Sequence, residues 1–162
     1  MTKFSLKFSG LANGVHVFHF ETTTDWFRAY RYEEIDQCRV NIDVRLNKSE
    51  RMMVLDFVFA GSITVSCDRC LDSLEIPVQH TEQVIVNFGQ TTQFDEDAWM
   101  VSEKEFQIDL SDFIYETIVL QRPVSAMHAL EDCNPEMINR LQQINMEPTS
   151  LTVDPRWNKL LE

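Results

Sequence analysis

Between residues 40 and 67 the chain alternates apolar and polar side chains with few interruptions. That pattern restricts it to strands buried on one face. Val40, Ile42, Val44 and Leu46 alternate with Arg39, Asn41, Asp43 and Arg45, the period of a half-buried strand and not of a helix. After a polar turn at Asn47-Lys48-Ser49-Glu50, one parity continues through Met53, Leu55, Phe57, Phe59, Ile63, Val65 and Cys67. Gly61 interrupts that run and is expected to bend or bulge it. Leu74, Ile76, Val78, Val84, Val86 and Phe88 carry the alternation further. Pro77 has no N–H to give a ladder, so it is expected at an edge or a break. Upstream, Phe4-Leu6-Phe8 and Val15-Val17 read as a hairpin around Gly10 to Gly14, and Asp25 to Tyr30 as a short helical turn.

The second half changes character. Thr91 to Asp97 is polar and acidic and reads as a loop. Asp109-Leu110-Ser111-Asp112 opens a helix whose apolar positions, Leu110, Phe113, Ile114 and Ile118, follow the helical period until Pro123 stops it. Asn134-Pro135-Glu136 is a second helix start: a capping Asn, a proline at the first helical position and an acid in the first turn. Its apolar side chains are Met137, Ile138, Leu141 and Ile144. Asp154-Pro155-Arg156 repeats the device ahead of Trp157, Leu160 and Leu161. The expected fold is α+β, an antiparallel β-meander followed by two or three helices. At 162 residues with 11 Phe, the chain is long enough and apolar enough for one domain over residues 1–162. In that reading residues 1–90 are mainly β, and 91–162 are acidic and mainly helical.

The net charge of -12 limits the partners. Nucleic-acid binders usually carry a basic field, because phosphate neutralisation and counterion release supply much of their affinity. Here the acids concentrate after residue 90, and only the stretch from Arg28 to Arg51 is locally less hostile to RNA, with Arg28, Arg31, Arg39, Arg45, Lys48 and Arg51. An ordinary solvated strand face is the favoured explanation of that stretch. No run of residues is apolar enough to span a bilayer, and the alternating N-terminus lacks the apolar core of a signal peptide. With only 4 Cys, a cytoplasmic protein with reduced thiols and no membrane partner is expected.

Cys67-Asp68-Arg69-Cys70 falls between two strand patterns. Two thiols at that spacing can chelate a metal, exchange a disulfide or simply make a tight turn. A redox pair needs its first Cys near a helix N-terminus, where the dipole lowers the thiol pKa. A strand follows here instead. In chain order, Val65-Ser66-Cys67-Asp68-Arg69-Cys70-Leu71, then Asp109-Leu110 with a helix ending near Leu120 and Pro123, then Asp154-Pro155-Arg156-Trp157 with Leu160 resemble the landmarks of the YceD family. These are the large ribosomal RNA subunit accumulation proteins. Many members carry a second cysteine-rich stretch before the Asp-Pro-Arg ending, where this chain has only His128 and Cys133.

A full second cluster is therefore excluded, and any metal must use Cys67, Cys70, His128 and Cys133. Three thiolates and an imidazole are the closed N/S donor set that structural zinc favours. The reading the sequence supports better is that Cys67 ends the buried parity of its strand and the thiols are simply buried, as small apolar groups often are. Cys38 is expected in the core. Arg69 at the turn either meets phosphate or pairs with a neighbour such as Asp68 or Asp72, and Arg156 either contacts a partner or fixes the tail. Asp95-Glu96-Asp97 are three consecutive acids, and a solvated loop explains them better than a metal-dependent nuclease. No nucleophile elbow or phosphate loop is present, so no enzyme is expected. Trp26, Phe27, Tyr30 and Tyr32 lie among arginines and are open to base stacking, to a protein partner or to core packing.

The resemblance implies a non-enzymatic factor that promotes 23S rRNA processing and accumulation in early large-subunit assembly. Arg69, Arg28, Arg31, Arg39, Arg45 and Arg156 are the candidate contacts to precursor rRNA or a partner. The acidic charge instead favours a basic large-subunit ribosomal protein. A reading from another class is a zinc-stabilised protein-interaction adaptor unrelated to ribosomes.

Overall fold

The computed structural model describes residues 4–30, 34–94 and 99–144. Its frame is a six-stranded sheet in the order β2-β3-β4-β5-β7-β6. The strands are β2 (Gly14–Glu21), β3 (Gln37–Lys48), β4 (Met52–Ser66), β5 (Ser73–Gly89), β6 (Gln93–Phe94) and β7 (Trp99–Ser102). β2 to β5 form the expected meander, each strand antiparallel to the next. The alternation determines which side is covered. Val40, Ile42, Val44, Leu46, Met53, Leu55, Phe57 and Phe59 are all buried, while Arg39, Asp43, Arg45 and Val58 are exposed on the opposite face.

Three smaller elements cover the inner face: α1 (Thr24–Arg28), α2 (Ser111–Leu120) and a two-stranded pair of β1 (Ser5–Lys7) with β8 (Gln107–Asp109). α1 is capped by the Thr23 hydroxyl, which accepts from the Trp26 N–H. Rings interlock at the seams. Phe4 lies 4.5 Å from Trp26, Phe57 lies 4.8 Å from Phe113, and Tyr30 stacks on Tyr115 at 4.2 Å. The Tyr30 hydroxyl also donates to Asp112 across 3.1 Å, tying α1 to α2.

Several expectations need correcting. Phe4-Leu6-Phe8 does not form a hairpin with Val15-Val17, because β1 pairs with β8, Leu6 opposite Ile108. Local turn chemistry carries no information about a partner that distant in sequence. The second half also holds more sheet than its composition suggests. Gln93–Phe94 falls inside the expected loop, and β7 runs parallel to β5. Gly61 makes no bulge, as the β3–β4 register passes through it unbroken. Its role is close approach: a Cβ there would sit 2.2 Å from the Arg39 carbonyl oxygen. Pro77 does not break β5. It pairs opposite Ser62 on a stretch whose outer side has no strand until Val86 meets β7. Trp26, Phe27 and Tyr30 face the core and α2, so they are packing groups and not a stacking platform. Arg31, Tyr32, the Asp95-Glu96-Asp97 run and the ending with Arg156 lie outside the described residues.

Candidate metal centre

The hairpin between β4 and β5 closes through the Cys turn. The Cys67 N–H donates to the Asp72 carbonyl at 2.8 Å, and the Leu71 N–H returns to the Cys67 carbonyl at 2.9 Å. Leu71 takes φ 65°, the left-handed value that folds the chain back after the second Cys. Both sulfurs are thereby directed to one side of the turn.

The opposing ligands come from the segment after α2. Asp68 docks that segment: its N–H donates to the Ala126 carbonyl at 2.8 Å, and its Oδ2 accepts from the Ala126 N–H at 2.7 Å. Arg122 adds a guanidinium contact to Asp68 Oδ1 at 3.2 Å and reaches Glu34 at 3.4 Å. Two residues past Ala126, His128 turns its ring into the thiols. A 3-10 turn, Leu130–Asp132, then delivers Cys133 just before α3 (Pro135–Ile144). Asn134 Oδ1 accepts from the Glu136 N–H, the helix start expected from its Asn-Pro-Glu sequence.

The four ligand atoms of Cys67, Cys70, His128 and Cys133 all lie within 4.8 Å of one another. A tetrahedron with zinc–sulfur bonds of about 2.3 Å needs donor separations of about 3.8 Å, so only small adjustments would seat the ion. His128 presents Nδ1 to Cys70 Sγ at 3.4 Å. Its Nε2 lies 3.2 Å from the Ser73 carbonyl, which fixes Nε2 as the donor nitrogen and leaves the Nδ1 lone pair facing the sulfurs. An outer hydrogen bond of this type is the usual orienting partner of a ligating histidine.

The electrostatics suit thiolate ligands. Burial pushes the Cys67 thiol up, but the backbone N–H groups of Cys70, His128 and Arg69 outweigh it and bring the thiol down to about 6. The Asn134 N–H holds the Cys70 thiol below its ordinary value. His128 is raised by the neighbouring Cys70 and Cys67 sulfurs, and Cys133 is raised by burial and by the Cys70 charge. Cys133 would therefore be the ligand that gives up its proton least readily to a divalent cation held by these four side chains. Arg69 lies beside that thiol, with Nη1 3.7 Å from Cys133 Sγ and Nη2 3.5 Å from Met127 Sδ. A guanidinium there would offset the single negative charge that three thiolates and a Zn²⁺ ion would leave.

Arg69 therefore pairs with a sulfur and not with Asp68 or Asp72. The other described arginine candidates do not converge on one basic surface. Arg28 donates to the Asp36 carbonyl, while Arg39 and Arg45 sit on the exposed sheet face with Asp43 between them and Asp56 opposite Arg45. Cys38 is buried in the main core, as expected. Sequence reasoning missed Asp68 and Arg122 as positioning groups and Ser73 as the acceptor for His128. Their roles rest on contacts between segments distant in sequence, which carry no local signal.

A β-meander whose longest hairpin ends in a Cys-x-x-Cys turn, closed by a His and a Cys from a later segment, defines a small sheet protein with a Cys₃His cluster compatible with a metal ion. Residues 55–162 match the sequence model of the family described as Large ribosomal RNA subunit accumulation protein YceD. The chain belongs to that family, and the matched span runs from within β4 through the whole centre. No curated protein and no solved structure matches the chain. Among the described residues, no helix is long and apolar enough to cross a membrane.

Proposed function

We propose that this chain is a non-enzymatic cytoplasmic factor that promotes 23S rRNA accumulation during early large-subunit assembly, with its C-terminal half fixed by structural zinc. The observation that carries this reading is the family match, which takes in all four candidate ligands. In that role the metal supplies no reaction. It supplies folding free energy, on the order of several kcal/mol for a closed thiolate site, and holds the segment after α2 against the sheet.

The charge argues for a basic large-subunit ribosomal protein as the direct partner in preference to naked rRNA. At -12 the chain repels phosphate, and the arginines of the exposed sheet face are interleaved with Asp43 and Asp56. An acidic surface would instead shield a basic protein until rRNA competes it away. Affinity for such a partner should fall steeply as salt rises.

Sedimentation of tagged protein from gently lysed cells tests the role. Co-migration with precursor large-subunit particles containing 23S rRNA is the expected result, with crosslinks to a basic ribosomal protein. Protein confined to the top of the gradient, with no ribosomal component crosslinked, would contradict it and favour an adaptor that acts outside ribosome assembly.

A further inference from the structure

The Cys centre is surrounded by apolar side chains that the fold does not use. Leu71, on the turn itself, is 67% exposed, Leu130 is 66% exposed and Met127 is 44% exposed. Each flanks the centre, in sequence or by contact. Leu71 follows Cys70, Met127 Sδ meets Arg69 at 3.5 Å, and Leu130 lies two residues past His128. The ligand atoms they flank fall within 4.8 Å. Leu71 is also the only non-glycine residue with positive φ among the described residues. A left-handed turn position favours Gly or Asn, so an exposed Leu there gives the fold nothing in either conformation or burial. Exposed apolar groups gathered around one feature usually mark an interaction surface.

Acids outnumber cations around this surface. Asp72, Glu131, Asp132 and Glu136 are exposed on the same turn and segment, and none of them forms an ion pair with another described residue. Of three nearby cations, Arg122 pairs with Asp68 and Glu34, Arg69 contacts the Cys133 and Met127 sulfurs, and Arg140 stands on α3 one turn after Glu136, so the unpaired acids still outnumber the unpaired cations. An apolar centre with an acidic rim complements a segment with one apolar face and basic flanks. Methionine at the centre tolerates varied packing, and helix-in-groove recognition uses apolar anchors of this kind.

We infer that Leu71, Met127 and Leu130, together with the surrounding acids, form a docking surface for a basic amphipathic segment of a partner protein. The surface is assembled by the Cys67, Cys70, His128 and Cys133 centre. This inference rests on the proposed reading that the direct partner is basic. It adds where the partner binds and what chemistry binds there.

The test uses the zinc-loaded full chain and a synthetic leucine–lysine helical peptide, followed by fluorescence anisotropy. A scrambled peptide of equal charge but without an apolar face, and an RNA oligonucleotide, serve as alternative ligands. The leucine–lysine peptide should bind best. The double variant Leu71→Ser, Leu130→Ser should weaken it by about tenfold or more, the effect of losing leucine burial at an interface. Val17→Ser, Val58→Ser, on the open sheet face, should leave binding within about twofold. Unchanged zinc content in each variant shows that the centre is intact.

Equal binding of the scrambled peptide would overturn the inference, since charge alone would then suffice. So would equal loss in both variants, preferential binding of the RNA at this surface, or a concentration-dependent dimer that only Leu71→Ser, Leu130→Ser abolishes. The gradient experiment separates the two claims. If the Leu71→Ser, Leu130→Ser chain still enters precursor particles, the surface fails and the assembly role stands. If the peptide binds as expected but the parent chain never enters particles, the role fails and the surface stands.

Discussion

The main core and the Cys centre hold their parts of the chain by different means. In the first, Phe4, Phe57, Phe59, Leu46 and Leu55 are at most 1% exposed, and α2 adds buried Ile114 and Ile118. Around the second, the packed neighbours of Cys67, Cys70 and Cys133 are only Leu74, Met137 and Ile138, each partly exposed. α3 follows the helical period as well as α2 does, yet it has no buried residue. An amphipathic helix gains most of its stability in a protein from the face it buries. α2 has that support, whereas α3 rests only the half-buried Met137 and Ile138 against the cysteine cluster. Where apolar area runs out, the proposed four-ligand centre would take over the task of fixing the segment.

The largest expected effect follows from removing that centre. Chelation, or Cys133→Ser, should release residues 122–144 and leave the sheet folded. Hydrogen exchange should then show the Asp68 and Ala126 amides losing protection while Val44 and Phe57 keep theirs. Simultaneous loss across both regions would break the comparison, making the centre part of one cooperative unit. Acid should reproduce the release. The Cys67 thiol is lowered from 9.0 to about 6, so its contribution is present above 9 and is lost as pH falls through 6.

Phe57→Ala is the converse experiment. A buried phenylalanine truncated to alanine costs about 3–5 kcal/mol, and Phe57 packs on both Phe59 and Phe113. Denaturant unfolding should show the whole sheet weakened, while one zinc per chain remains bound under native conditions.

Asp68→Ala should have a smaller effect, confined to the junction. It removes the acceptor of the Ala126 N–H and of Arg122, a loss on the order of 1–3 kcal/mol for charge-assisted bonds. Chelator competition should report weaker zinc binding with little change in sheet stability. Equal loss in both would assign Asp68 to the main core.

The smallest effect is at the α1–α2 contact. Burial and the Asp112 carboxylate push the Tyr30 hydroxyl up from 10.0 to about 12. Its stabilising contribution is complete below 10 and is lost as pH rises through 12. Ultraviolet titration should show Tyr30 and Tyr115 both shifted high in the parent, and in Asp112→Ala the Tyr30 shift should shrink without vanishing, because burial still raises it.

The two regions also differ in how far the sequence revealed them. β3, β4 and β5 are legible because each strand's parity is written in its own residues and its partner follows directly, as Val44 opposite Phe57 illustrates. The β1–β8 pair is not legible, since Ser5 meets Asp109 across most of the domain. The centre falls between these cases. Cys67 and Cys70 announce themselves by spacing. His128 and Cys133 join them only through the Asp68–Ala126 backbone exchange, a tertiary contact with no periodic signature. α3 was legible from Asn134-Pro135-Glu136, whereas its shallow burial was not, because amphipathicity shows which face is apolar and not what covers it.

Native mass spectrometry of the chain purified under reducing conditions, alongside Cys67→Ser, tests the central claim most directly. The Cys₃His geometry predicts one zinc ion per parent chain and none in the variant. A metal-free parent in which residues 122–144 resist exchange as strongly as the sheet would contradict it, showing that buried thiols alone hold the two regions together.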